Sequence, residues 1–113
     1  MNEIFIKSLY KTIVQDKELY RNQLDNSNID KVTEEYLKQV LELYNDASQD
    51  KKDALVDFIE LIMIDTISNM LGIIDGSSTL SGCDAESKLY LDGIDTDNEL
   101  QDLFLEYVEE IDE

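Results

Sequence analysis

Carboxylates are the only abundant groups in this chain with chemistry to offer. There are 27 Asp and Glu against nine Lys and Arg, and no histidine. Without His there is no Ser–His or Cys–His nucleophile pair and no His-ligated metal. The single cysteine, Cys83, lies between Gly82 and Asp84 with Glu86 near. Negative neighbours disfavour the thiolate, so Cys83 reads as a bystander rather than a nucleophile. No glycine-rich phosphate loop is present. What remains for the acids is to bind a metal, to serve a catalytic site, or to present charge to a partner.

Asp95, Asp97 and Glu99 alternate, and Glu106 follows eleven residues after Asp95. This spacing loosely resembles a calcium loop of the EF-hand type. Its sixth position is Leu100, where the sharp turn needs glycine, and Asp102 stands where an apolar residue belongs. Acids at a helix start, stabilised by the macrodipole, account for the pattern better. Asp75, Ser77, Thr79 and Glu86 make a poorer loop with the same glycine missing. Asp65, Ser68 and Asn69 fall within one helical turn, with Asp57 two turns earlier on the same side. Buried, Asp65 would need a counter-charge such as Lys7 or Lys11. As the solvent edge of an amphipathic helix the four need no partner, and that reading is preferred. A Mg²⁺ or Mn²⁺ enzyme built on Asp57 and Asp65 ranks last among the functions considered. No metal, cofactor or catalytic residue is expected.

The acids are unevenly spread. Residues 1–52 carry eight basic and ten acidic groups, whereas residues 53–113 carry Lys88 alone against seventeen acids. Between Asp92 and Glu113 ten acids stand without a base. At 100° per residue Glu99, Asp102, Glu106, Glu109, Glu110 and Glu113 share one arc of about 100°. Leu100, Leu103, Phe104, Tyr107, Val108 and Ile111 fill the other side, and Leu105 alone falls near the acids. Like charges three and four residues apart weaken an isolated helix, and acids in the last turn oppose the helix dipole. Tertiary packing of the apolar side must therefore hold this helix. Asp95, Asp97, Glu99, Asp102, Glu106, Glu109, Glu110 and Glu113 are the candidate partner-binding residues.

Four helical segments must position these groups. Proline is absent, so none is broken by that route. The first helix is expected from about Asn2 to Gln23 and the second from a Ser27 cap to about Tyr44. The third, most apolar and central, is expected from a Ser48 cap to about Leu71, closed by Gly72. The fourth is expected from about Asp97, capped by Asp95 or Thr96, to Ile111. Between the last two, Lys88–Leu91 reads as a short strand that pairs with Thr79-Leu80 across a loop at Gly82–Glu86. The fold class is all-α: a single-domain bundle of about four helices with a small β-hairpin between the third and fourth. Expected core positions are Phe5, Leu9, Ile13, Tyr36, Val40, Leu55, Ile59, Ile62, Ile67, Leu100, Phe104 and Tyr107.

With 113 residues and 42% apolar content the chain has the make-up of one globular domain. No signal peptide is evident and the lone cysteine fits a reducing compartment, so a cytoplasmic location is expected. Acidity argues against direct contact with nucleic acid or anionic membranes. Carboxylates on neighbouring helical turns lie ~5–6 Å apart, comparable with phosphates along a nucleic acid strand. Small acidic helical chains of this kind are similar, in composition and fold class, to bacterial immunity proteins that neutralise toxins and to nucleic-acid mimics. That likeness implies a binding or regulatory protein that associates with a basic protein, such as a nuclease or nucleic-acid-binding protein. The alternative is a structural or regulatory helical protein acting through homo-oligomerisation, a homodimer included.

Overall fold

A computed structural model of the chain describes residues 1–112. It is predominantly all-α, with one small antiparallel hairpin. Helix α1 spans Asn2–Ile13 and passes through a single 3₁₀ turn, Val14–Asp16, into α2, Lys17–Asn26. These two form the expected first helix, tightened once in the middle. Helix α3 spans Glu35–Asn45, α4 spans Gln49–Asp75 and α5 spans Leu100–Asp112. Strands β1, Tyr90–Leu91, and β2, Ile94–Asp95, make the hairpin.

The main core joins α1, α4 and α5. Ile6, Tyr10 and Val14 pack with Ile64, Ile67 and Leu71 of α4 and with Leu100 and Phe104 of α5. The Tyr10 ring meets Tyr107 edge-on at 5.4 Å and leans on Phe104 at 6.4 Å. Leu41 and Tyr44 of α3 and Val56 of α4 are buried outside this cluster. Of the expected core, Ile67, Leu100 and Phe104 are buried, while Phe5, Leu9, Leu55, Ile59 and Tyr107 are half-buried. Ile13, Tyr36, Val40 and Ile62 are exposed instead. On α1 the buried stripe is rotated by one residue, about 100°, from the one expected.

Not every helix boundary follows the sequence reading. Ser27 does not start a helix: its hydroxyl donates back to the Gln23 carbonyl and closes α2. The chain then makes a 3₁₀ turn at Ile29–Lys31, capped by the Asn28 side chain, and α3 begins only at Glu35. Ser48 does cap α4, accepting from the Lys51 amide at 3.3 Å. Gly72 does not end α4; the helix runs one more turn to Asp75, and Gly76 closes it with φ 82°. Gly72 serves a different need, since a Cβ there would lie 2.8 Å from Nε2 of Gln101 on α5. Gly76 has open space around it but a left-handed backbone. Gly76→Ala is therefore expected to cost about 1–2 kcal/mol, seen as a lower urea midpoint with unchanged slope.

The hairpin pairs other residues than expected. Asp92 and Gly93, with φ of 53° and 79°, form the tight turn, setting Tyr90 against Asp95 and Leu91 against Ile94. Two consecutive positive φ values give the turn whose twist matches paired strands. Leu80 instead bridges to Cys83 across Ser81-Gly82. Thr96 anchors the hairpin: its hydroxyl and amide both donate to the Leu89 carbonyl, at 3.0 and 3.2 Å.

Candidate functional site

Helix α5 begins three residues later than expected because Asp97 and Asn98 hold left-handed φ values of 59° and 57°. Neither expected cap closes it. The Asp95 carboxylate turns on the Asp97 amide at 2.9 Å, and Thr96 is committed to Leu89. A distant group acts instead: Oδ2 of Asp75, at the end of α4, accepts from the Gln101 amide at 2.7 Å. Asp75 is 5% exposed and its Oδ1 has no partner. A carboxylate against first-turn amides complements the helix dipole and fixes where α5 starts. Gln101 fastens the same corner, donating to the Ser68 carbonyl at 3.0 Å while its Oε1 accepts from Ser77 at 3.1 Å.

So anchored, α5 turns Leu100 and Phe104 fully into the core, with Leu103, Tyr107 and Val108 half-buried beside them. Its outer side is acidic. Glu99, just before the helix, and Asp102, Glu106, Glu109 and Glu110 are all exposed. Among the described residues none of these five carboxylates makes an ion pair. The cations that form ion pairs do so elsewhere. Lys17 pairs with Glu60, Arg21 holds Glu18 and Asp53 at 3.2 and 2.7 Å, and Lys88 holds Asp95 at 3.0 Å. Leu105 is 40% exposed at the edge of the acids, and Ile111 is exposed despite its place on the apolar side.

The approach to the helix is less uniform. Asp97 is exposed. Asp95 is half-buried and engaged in the hairpin. The Asp97 amide, and then Lys88, hold its carboxyl below the usual carboxylate range. Glu113 lies outside the described residues. Three residues that sequence reasoning did not place here border the face. Glu3 of α1 lines a hollow of about 90 Å³ with Glu106, Glu110 and Tyr107, so the acidic surface extends onto α1. Lys7 lines the same hollow, its ammonium 5.8 Å from the centre of the Tyr107 ring. Asn2 clamps the far end, donating to Glu99 at 2.8 Å and to the Thr96 carbonyl at 3.0 Å. A signal for Glu3 exists only in three dimensions, once α1 and α5 lie side by side.

The other acid groupings do not converge. Asp57, Asp65 and Asn69 are exposed on α4, while Ser68 is buried against Gln101. Asp65 thus sits on the solvent edge and needs no lysine from α1. Among the described residues no three acidic or cysteine side chains gather as metal ligands would. Segment 76–89 encloses an open hollow of about 640 Å³, lined in part by Asp75, Asp84, Glu86 and Lys88. Cys83 is exposed there. Among the described residues no helix is long and apolar enough to cross a membrane.

Away from this face, the Tyr44 phenol has a strongly shifted ionisation. The Tyr44 hydroxyl donates to Asp25, and that bond, with burial, pushes its pKa up to about 12. The folded state keeps this phenol proton where the unfolded chain, near 10, loses it. Its contribution to stability is therefore complete below about pH 10 and is lost as pH rises from about 10 to about 12. Tyr44→Phe should remove that fall in stability, read from urea midpoints measured across this range.

Comparison with protein-family models, with curated proteins and with solved structures gives no match.

Proposed function

We propose that this chain is a small acidic binding protein that docks on a basic protein through the outer face of α5. The observation that carries the reading is that Glu99, Asp102, Glu106, Glu109 and Glu110 are exposed together with no ion pair among the described residues. A surface kept only for solubility mixes signs, which relieves repulsion. Here the paired bases are Lys17 and Arg21 on α2 and Lys88 just before the hairpin, and the last helix keeps one sign. Phosphate-gripping clefts of nucleases and other nucleic-acid-binding proteins carry the complementary field. Carboxylates at helical spacing can occupy such a cleft in place of phosphates. The chain then acts by occupancy rather than catalysis, as a cytoplasmic inhibitor or regulator of the kind seen in immunity proteins and nucleic-acid mimics.

Affinity purification from the native cell, eluted along a salt gradient, tests this. A basic protein should leave the column as salt rises. A chain carrying Glu99→Lys, Asp102→Lys and Glu106→Lys should fail to retain it. Partners held equally by both chains would sink the reading.

A further inference from the structure

Helix α4 turns apolar groups to solvent where a surface helix would carry charge. Phe58, Leu61 and Ile62 are 57%, 49% and 49% exposed. Ala54 is exposed beside them and Leu55 is half-buried. The face has an order along the helix. Lys51, Phe58 and Asp65 stand seven residues apart and so lie nearly in line, drifting only ~20° per heptad. Ala54 and Leu55 precede Phe58 by the same steps by which Ile62 and Leu61 follow it. Among the described residues neither Lys51 nor Asp65 makes an ion pair.

We infer that this face is the two-fold interface of a homodimer, in which α4 packs antiparallel on α4 of a second copy, centred on Phe58. A two-fold axis matches residue with residue in reverse order. Phe58 then meets its own counterpart, Leu55 meets Ile62 on one flank, and Ala54 meets Leu61 on the other. At each end Lys51 faces Asp65 of the other copy. The sequence of this face is its own complement in both shape and sign, which is what an isologous contact requires. None of these residues lies on α5, so the inference is independent of the acidic face.

The chain exposes more surface than one such contact would cover. A folded monomer of 13.0 kDa would expose about 6,300 Å². This chain exposes 8020 Å². Its radius of gyration is 17.8 Å, against about 13 Å for a compact domain of this length. The surplus, about 1,700 Å², exceeds the ~800 Å² that each partner buries in a stable interface of ordinary size. The net charge of −18 per chain opposes pairing. At about 0.15 M salt, with a screening length of ~8 Å, the cross-axis Lys51–Asp65 contacts persist while distant repulsion fades.

Sedimentation equilibrium at that salt should give twice the 13.0 kDa chain mass. Phe58→Glu places two carboxylates at the axis and should weaken dimerisation by at least ~100-fold. Lys51→Glu and Asp65→Lys should each weaken it by about tenfold, and the double variant, which restores opposite signs across the axis, should recover to within about threefold. The three sites are exposed, so at concentrations low enough for the parent chain to be monomeric the urea midpoints of the variants should stay near its own. A monomer at concentrations up to about 1 mM would overturn the inference. So would a dimer indifferent to Phe58→Glu, or a double variant no better than its parents, which rules out the antiparallel register even if Phe58→Glu failed to fold.

Discussion

Phe104→Ala is expected to destabilise the chain by about 3–5 kcal/mol. Phe104 is 0% exposed and sits where α1, α4 and α5 meet, against the ring of Tyr10. Truncation removes the apolar surface it buries and leaves a hole that three helices must close around. The loss has unusual leverage here. Like-charged neighbours and acids against the dipole work to unwind α5, so its apolar side supplies the force that keeps it helical. With total stability of order 5–15 kcal/mol for a domain, a large part of the margin goes. Urea unfolding followed by circular dichroism should show a much lower midpoint. Leu105→Ala, on the same helix but 40% exposed, should lose less than about 1 kcal/mol. Equal losses at the two positions would mean that α5 does not depend on this contact.

The final helix is the most legible part of the sequence because its two sides differ in chemistry. Once Leu100 and Phe104 face inward, period alone sends Glu99, Asp102, Glu106 and Glu109 outward. The N-terminal helix offers no such contrast. Phe5, Leu9 and Ile13 form one apolar stripe and Ile6, Tyr10 and Val14 another, about 100° apart, and only the position of Phe104 and Tyr107 decides between them. Helix α4 is apolar on several sides, so its length and central place can be read but not which side meets the core. Local capping rules are satisfied at more than one position. Gly72 and Gly76 stand one turn apart, and Ile73 and Ile74 carry the helix across the first to reach the second. Asp75 is invisible as a cap because its target, the Gln101 amide, lies 26 residues away. The sequence marks a hairpin but pairs Lys88–Leu91 back to Thr79-Leu80, whereas the strand turns forward at Asp92-Gly93 onto Ile94-Asp95.

Reversing Glu99, Asp102 and Glu106 together to lysine is expected to slow association with a basic partner by about 10–10³-fold while leaving the fold nearly as stable. The three residues span the first two turns of the acidic face and are exposed, so no core contact is lost. Stability terms nearly cancel. Lysines in the first turn oppose the helix dipole and forfeit the Asn2–Glu99 bond, while a lysine in place of Glu106 gains attraction to Glu109 and Glu110 one turn on. The binding term has no such compensation, since attraction becomes repulsion over the whole approach. Its signature lies in the salt dependence. For the parent chain the association rate should fall steeply as salt rises, because the charges act over distances that ions screen. For the reversed chain the rate should start low and rise, or stay flat, over the same range. The isosteric set Glu99→Gln, Asp102→Asn and Glu106→Gln should fall between, with a weakened slope. Stopped-flow association at several salt concentrations reads all three chains. A rate that is the same for all of them would separate the acidic face from binding and leave it as surface that keeps the chain in solution.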